Sequence, residues 1–427
     1  MSVYLPRVVD DLLEFRLESK GAVWIRGPKW CGKSTTAERF ARTCVFMQDE
    51  ETKEQNISLA KASPSTFLQG ETPFLIDEWQ VIPFIWNQIR HEVDKRDEFG
   101  QFILTGSRLP KKKKNERNGE YHTGTGRIVD LVMRPMSLYE SQEGDGSVSL
   151  KALFDGETYL GGRHSLTLRD YAFLTARGGW PKAVGKSDRF ALQQAIDYYD
   201  NVVRSDMSED EAERKINPDR VRLLMRSYAR NCATEANLQV IRKDMLSNDA
   251  DTLSDVTIRG YINTLERIFV VEESDAWNPN VRSKTAIRTS NTRYFIDPSI
   301  ATAALGLGPD ALIKDLRTFG YLFENLCVRD MRIYADTLDG AVKHFRNAKG
   351  READIVITLR DGRWALMEVK LGGSDSIDEG AKHLIEIADD VDERLNKPSF
   401  LAVITAGNIS YRREDGVYVL PLGALKP

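Results

Sequence analysis

Over the first 150 residues, short apolar runs alternate with stretches in which apolar residues recur every three or four positions. The runs "AVWIRG", "PFLIDE" and "QFILTGS" are brief and rich in β-branched and aromatic residues, so they read as buried strands. Strands alternating with amphipathic helices predict a parallel sheet covered by helices. The polar, turn-rich "SQEGDGSVS" at 141–149 then marks a joint.

Helical spacing dominates from 151 to 280, as in "RFALQQAIDYYDNVVRSDM" and "DRVRLLMRSYARNCA". A further helix, capped by Ser254 or Asp255, carries an apolar face through Val256, Tyr261, Leu265 and Ile268, and the β-prone "IFVVEES" follows. Helix, turn, helix and strand wing is the order of a winged helix-turn-helix, with Thr257 and Arg259 placed where DNA contacts would fall. From 281 to 427 strands and helices mix, and "ADIVITL" and "RWALMEVK" flank Asp361–Gly362, a hairpin signal. The expected domains are 1–150, 151–280 and 281–427.

Composition narrows the class. With 41% hydrophobic and 29% charged residues in 427, the chain is an ordinary globular sequence. A net charge of −4 excludes a uniformly basic nucleic-acid coat, though not local basic surfaces such as the lysine run 111–114. The four cysteines, Cys31, Cys44, Cys232 and Cys327, show no pairing or metal-ligand spacing, which favours a reducing compartment. Neither a signal peptide nor a membrane span is legible, so the expected location is cytoplasmic.

The first chemistry follows the first strand. "GPKWCGKST" at 27–35 is G-x-x-x-x-G-K-S between a strand and a helix-forming segment. Gly27 and Gly32 let the backbone curl its N–H groups around phosphate oxygens, Lys33 reaches the β- and γ-phosphates of ATP, and Ser34 offers a hydroxyl to Mg²⁺, with Thr35 beside it. "TPFLIDEWQ" ends a strand in two carboxylates: Asp77 for the Mg²⁺ ion and Glu78 to polarise the attacking water. Thr105 and Ser107 end the next strand and can sense the γ-phosphate. Arg127 is the candidate arginine for that phosphate, in cis or from a neighbouring subunit of a homo-oligomer.

The second chemistry lies in the hairpin. Asp354 and Glu368 can meet across the turn and hold a hard divalent cation, Mg²⁺ or Mn²⁺. Lys370 shares a side with Glu368, and Glu324 sits among apolar residues of a preceding helix, where an unpaired carboxylate is costly.

With these residues in view, the chain resembles bacterial and archaeal ATPases of the AAA+ superfamily that carry an uncharacterised C-terminal domain. The resemblance rests on Gly27 to Thr35, Asp77, Glu78, "LTGSR" at 104–108, "GTGRIVDLVMRPMSLYE" at 124–140 and "RGGWP" at 177–181. Glu324, Asp354 and Glu-x-Lys in that order resemble the PD-(D/E)XK nucleases, with "AD" in place of "PD". Together these imply an α/β fold: a P-loop, AAA+-like parallel sheet, a helical and winged-helix middle, and a nuclease-like α/β end. The function implied is ATP hydrolysis coupled to action on DNA, by analogy branched DNA. The alternative is an ATP-dependent regulatory switch whose nuclease fold is inactive.

Overall fold

A computed structural model describes residues 4–108, 124–158, 161–207, 217–246, 254–279, 290–346, 351–391 and 397–427. The lysine run at 111–114 lies outside them. The chain forms two compact units, residues 1–135 with 267–269, and residues 136–266 with 270–427.

The first unit is built on strands β1 (Ala22–Arg26), β2 (Thr43–Phe46), β3 (Phe74–Asp77), β4 (Phe102–Gly106) and β5 (Ile128–Val132). They form an all-parallel sheet in the order β2-β3-β4-β1-β5. The central strands are buried along nearly their whole length because helices cover both faces, which is why they read as continuous apolar runs. One face packs on Trp24, Trp79, Trp86 and Phe74, and the other on Leu13, Val23, Ile25 and Ile103. β2 escapes the sequence pattern. It is a four-residue edge strand with alternate residues exposed, so no apolar run announces it.

In the second unit, short strands β6 (Val148–Ser149) and β7 (Gly162–Arg163) precede a largely helical stretch. That stretch includes helices Pro218–Arg230, Leu238–Leu246 and Asp255–Arg267. Two antiparallel bridges follow, Val271 to Phe295 and Ser274 to Thr292. One expectation for the last helix is corrected: Val256 is 78% exposed, and Ile258 is buried with Tyr261, Ile262 and Leu265. Counting back from Tyr261 by three reaches Ile258, whereas five residues back lands on the opposite face.

The rest of this unit runs helix Leu316–Asp336, β8 (Ala341–Arg346), β9 (Glu352–Thr358), β10 (Trp364–Lys370), helix Ser374–Asp390, β11 (Leu401–Thr405), β12 (Ile409–Arg412), β13 (Tyr418–Pro421) and β14 (Leu425–Lys426). The main sheet has the order β7-β12-β13-β11-β10-β9-β8, and β14 pairs with β6. β9 and β10 form the antiparallel hairpin around Gly362, whose φ of 90° suits a residue without Cβ. β10 then pairs in parallel with β11 through the helix between them.

A buried ionic knot ties this unit together. Arg329 donates to Asp330 and Asp297 at 2.8 Å each. Asp330 accepts from Leu138 N, and Asp297 from Gly179 N. Thus "RGGWP" and part of "RPMSLYE" serve as partners in a core network. Arg329→Met would leave two carboxylates buried without their cation. It is expected to destabilise the unit by about 3–5 kcal/mol, read by urea denaturation; a change under 1 kcal/mol would show the knot to be dispensable.

Candidate functional sites

The loop after β1 is shaped by residues that tolerate unusual backbone. Gly27 has φ 157°, and a Cβ there would stand 2.0 Å from Met133 O, so only glycine fits. Gly32, at φ 104°, turns the chain into helix Lys33–Phe40. Trp30 and Glu78 are left-handed without being glycine, at φ 68° and 55°, and such backbone strain concentrates at functional sites. Arg7 braces the loop from below, donating to Cys31 O and Arg134 O at 2.8 Å each.

Side chains from three strand ends converge at this loop. Ser34 Oγ and Thr105 Oγ1 both donate to Asp77 Oδ1 at 2.6 Å. Glu78 N donates to Thr105 Oγ1 at 3.1 Å. Ser107 Oγ donates to Glu78 Oε1 at 2.8 Å, while Gln80 Nε2 donates to its other oxygen. Lys33 is buried and its ammonium donates to Pro28 O at 2.7 Å. A hydroxyl facing a carboxylate is an all-oxygen donor set, which suits Mg²⁺. Thr35 is exposed on the first turn of the helix.

Arg127 is not brought to this place. It immediately precedes β5 and its carbonyl accepts from Ala22 N, at the start of β1. The phosphate loop follows the end of β1, so the arginine stands at the opposite edge of the sheet, about 16 Å of strand away. There it pairs with Asp94 at 2.5 Å. The structure therefore does not bring Arg127 to the phosphate loop of its own chain, one of the two placements expected of it.

Residues 19–142 match the family model described as an AAA domain. Over those residues the first unit is similar to an AAA domain. Residues 168–311 and 319–425 match two models described as domains of unknown function, DUF8612 and DUF4143. No curated protein matches the chain. Among solved structures, the Walker-type ATPase PABY2304 of Pyrococcus abyssi is 15% identical, with a TM-score of 0.40 over 69% of this chain and 94% of that one. The Aeropyrum pernix ORC1 protein, solved in complex with DNA, is 12% identical, with a TM-score of 0.25 over 74% and 95%. Both overlaps are partial. Among the described residues no helix is long and apolar enough to cross a membrane.

The second unit holds the other cluster. Asp354 Oδ2 accepts from Val369 N at 2.7 Å, so β9 and β10 are clasped beside Glu368. Lys370 Nζ donates to Glu368 Oε1 at 2.8 Å. Glu368 is 3% exposed, and its Oε2 has no hydrogen-bond partner among the described residues. Glu324 reaches the same cluster from helix Leu316–Asp336 and accepts from Tyr294 Oη at 2.6 Å. Helix Ser374–Asp390 lies close on the strand at Gly380, where a Cβ would be 3.1 Å from Glu368 Cγ and 3.5 Å from Lys370 Cε.

The electrostatics are lopsided. Burial, then the charge of Asp354, hold Glu324 well above the ordinary carboxylate range. Burial and the charge of Glu368 do the same to Asp354. Burial lifts Glu368 to about 7 although Lys370 opposes the shift. Exposed Glu352 adds to the negative field around all three. Among the described residues no group of three or more His, Cys, Asp or Glu side chains could hold a metal ion by itself. Two carboxylates with one orphaned oxygen nevertheless fit Mg²⁺ or Mn²⁺, which commonly take one or two carboxylates and fill the remaining positions with water and phosphate oxygens.

A pH dependence follows. Folding raises the Glu368 carboxyl from its ordinary 4.5 to about 7, so its contribution is fully present below pH 4.5 and is lost as pH rises through 7. In chelator, wild type is expected to lose on the order of 2 kcal/mol between pH 5 and 8 relative to Glu368→Gln, and Mn²⁺ should restore it. Parallel stability curves for the two proteins would refute this.

Sequence reasoning missed Tyr294, Gln80 and Gly380. Gly380 left one signal, a glycine inside a helical run, which costs stability unless close packing requires it. The other two left none.

Proposed function

We propose that the protein binds and hydrolyses ATP in its AAA domain and acts on DNA through its second unit, where a metal-dependent, nuclease-type site engages phosphodiesters. The observation that carries the second half is the orphaned Glu368 Oε2 among Asp354, Glu324 and Lys370. The fold around it, helix, three antiparallel strands, helix and parallel strand, supports the PD-(D/E)XK likeness.

In the AAA domain, Lys33 and the loop N–H groups bind phosphate, Ser34 and Asp77 hold Mg²⁺, and Glu78 orients the attacking water. Thr105 and Ser107 fix those two carboxylates. An arginine for the γ-phosphate would come from a second copy, which makes Arg127 a candidate only in a homo-oligomer. In the second unit, Asp354 and Glu368 would hold the cation, which would polarise a phosphate oxygen. Lys370 orients a water. Glu324 adds a carboxylate beside Asp354.

The three helices and two bridges at 218–295 support a winged-helix reading, with Thr257 and Arg259 toward DNA. Branched DNA is the proposed target on analogy with junction-resolving nucleases. A second reading, a regulatory switch, is favoured by one feature: both Glu78 oxygens are already hydrogen-bonded, by Ser107 and Gln80.

The test is to incubate linear, single-stranded and four-way-junction DNA with Mg²⁺ or Mn²⁺, with and without ATP. Strand cleavage and phosphate release are followed together. Cleavage supports the first reading. DNA-stimulated phosphate release without cleavage leaves a remodeller, and tight ATP binding with neither activity supports the switch.

A further inference from the structure

Tyr294 lies 30 residues from Glu324 in sequence and is fully buried against it. Its hydroxyl donates to Glu324 Oε1 at 2.6 Å. The next residue is clasped as well: Asn325 Oδ1 accepts from Phe295 N at 3.0 Å, and Asn325 Nδ2 donates to Phe295 O at 2.8 Å. Two consecutive residues of the helix thus grip two consecutive residues of the returning strand.

The preceding side chain in this bridged segment has other partners. Arg293 donates to Ala236 O at 2.6 Å and pairs with Glu273. It forms one wall of an open polar cleft of about 680 Å³, shared with Asn237, Gln239, Asp255 and Arg259. One strand therefore faces this cleft with Arg293 and the carboxylate cluster with Tyr294.

We propose that Tyr294 is a positioning residue for the carboxylate site, holding Glu324 in place beside Asp354, one of the two carboxylates that would hold the cation. This rests on the metal-dependent reading given above. A phenylalanine would fill the same buried volume, so the hydroxyl contributes orientation rather than packing. Hydrogen-bonding groups that surround a metal site commonly change cation affinity by roughly 10- to 100-fold.

The test is Mn²⁺ binding by titration calorimetry on the full chain, counting only the event that Asp354→Asn removes. Tyr294→Phe is expected to weaken that event about ten-fold, with its melting temperature close to wild type. In a Glu324→Ala background the same substitution should have no further effect, because the acceptor is gone. An unchanged affinity in Tyr294→Phe would overturn the proposal and leave the metal reading standing. An equal loss in both backgrounds would also overturn it, since the effect would then come from packing. If wild type shows no Asp354-dependent event, the metal reading fails and this inference goes with it.

Discussion

Replacing Lys33 with alanine is expected to weaken ATP binding at least about 100-fold while leaving the nucleotide-free protein no less stable. The ammonium is buried and donates to one loop carbonyl, Pro28 O. A buried charge with a single neutral partner is poorly compensated until phosphates arrive. Removing it therefore relieves the free protein and harms only the complex. Two charge-assisted hydrogen bonds to phosphate account for about 3 kcal/mol, which corresponds to roughly 100-fold.

Ligand-induced stabilisation gives the readout. ATP at 100 times its dissociation constant should stabilise wild type by about 2.7 kcal/mol, and the variant at the same concentration by only about 0.4 kcal/mol. A variant that melts early without ATP would show instead that Lys33 chiefly holds the loop together. One that binds ATP normally would mean that the phosphates lie elsewhere.

The first unit was legible in the sequence because each of its candidate site residues ends or follows a strand. In a parallel sheet all strand ends share an edge, so Gly27, Asp77, Glu78, Thr105 and Ser107 had to gather. The same logic, applied to Arg127, places it at the other edge, since it precedes its strand. That inference was available from residue order alone. β2 was not, because half-exposed edge strands lose the apolar continuity that marks central ones.

In the second unit, legibility ended where contacts became non-local. Asp361–Gly362 fixed the hairpin, and its register, carried one step past Met367–Ile355, set Asp354 opposite Glu368 with its carboxylate accepting from Val369 N. Period two along β10 put Lys370 on the Glu368 side, where its ammonium is found. Nothing in residues 290–296 pointed to Glu324, because the two segments meet through a short bridged strand without regular pairing. The five-residue π-helix at Val202–Asp206 is equally unannounced, continuing an α-helical pattern with a wider turn.

Asp354→Asn should abolish any DNA cleavage, by about 1,000-fold or more, and at the same time make the metal-free protein more stable at pH 8. Asparagine keeps an oxygen for Val369 N, so the clasp between β9 and β10 survives. What disappears is a carboxyl that burial first, and then the charges of Glu368 and Glu352, hold well above its ordinary range. Losing that penalty stabilises the folded state on the order of 1–2 kcal/mol, whereas a divalent cation loses a ligand worth several kcal/mol in the transition state. Function and stability then move in opposite directions, as they do where side chains are arranged for binding at a cost to the fold. If Asp354→Asn destabilises the free protein, the carboxylate serves the hairpin, and the charge argument is wrong. Cleavage retained in the variant would place the cutting chemistry at other residues. If wild type is inert and the stability still rises, the charge cluster stands while the cutting role falls, and the regulatory switch becomes the better account.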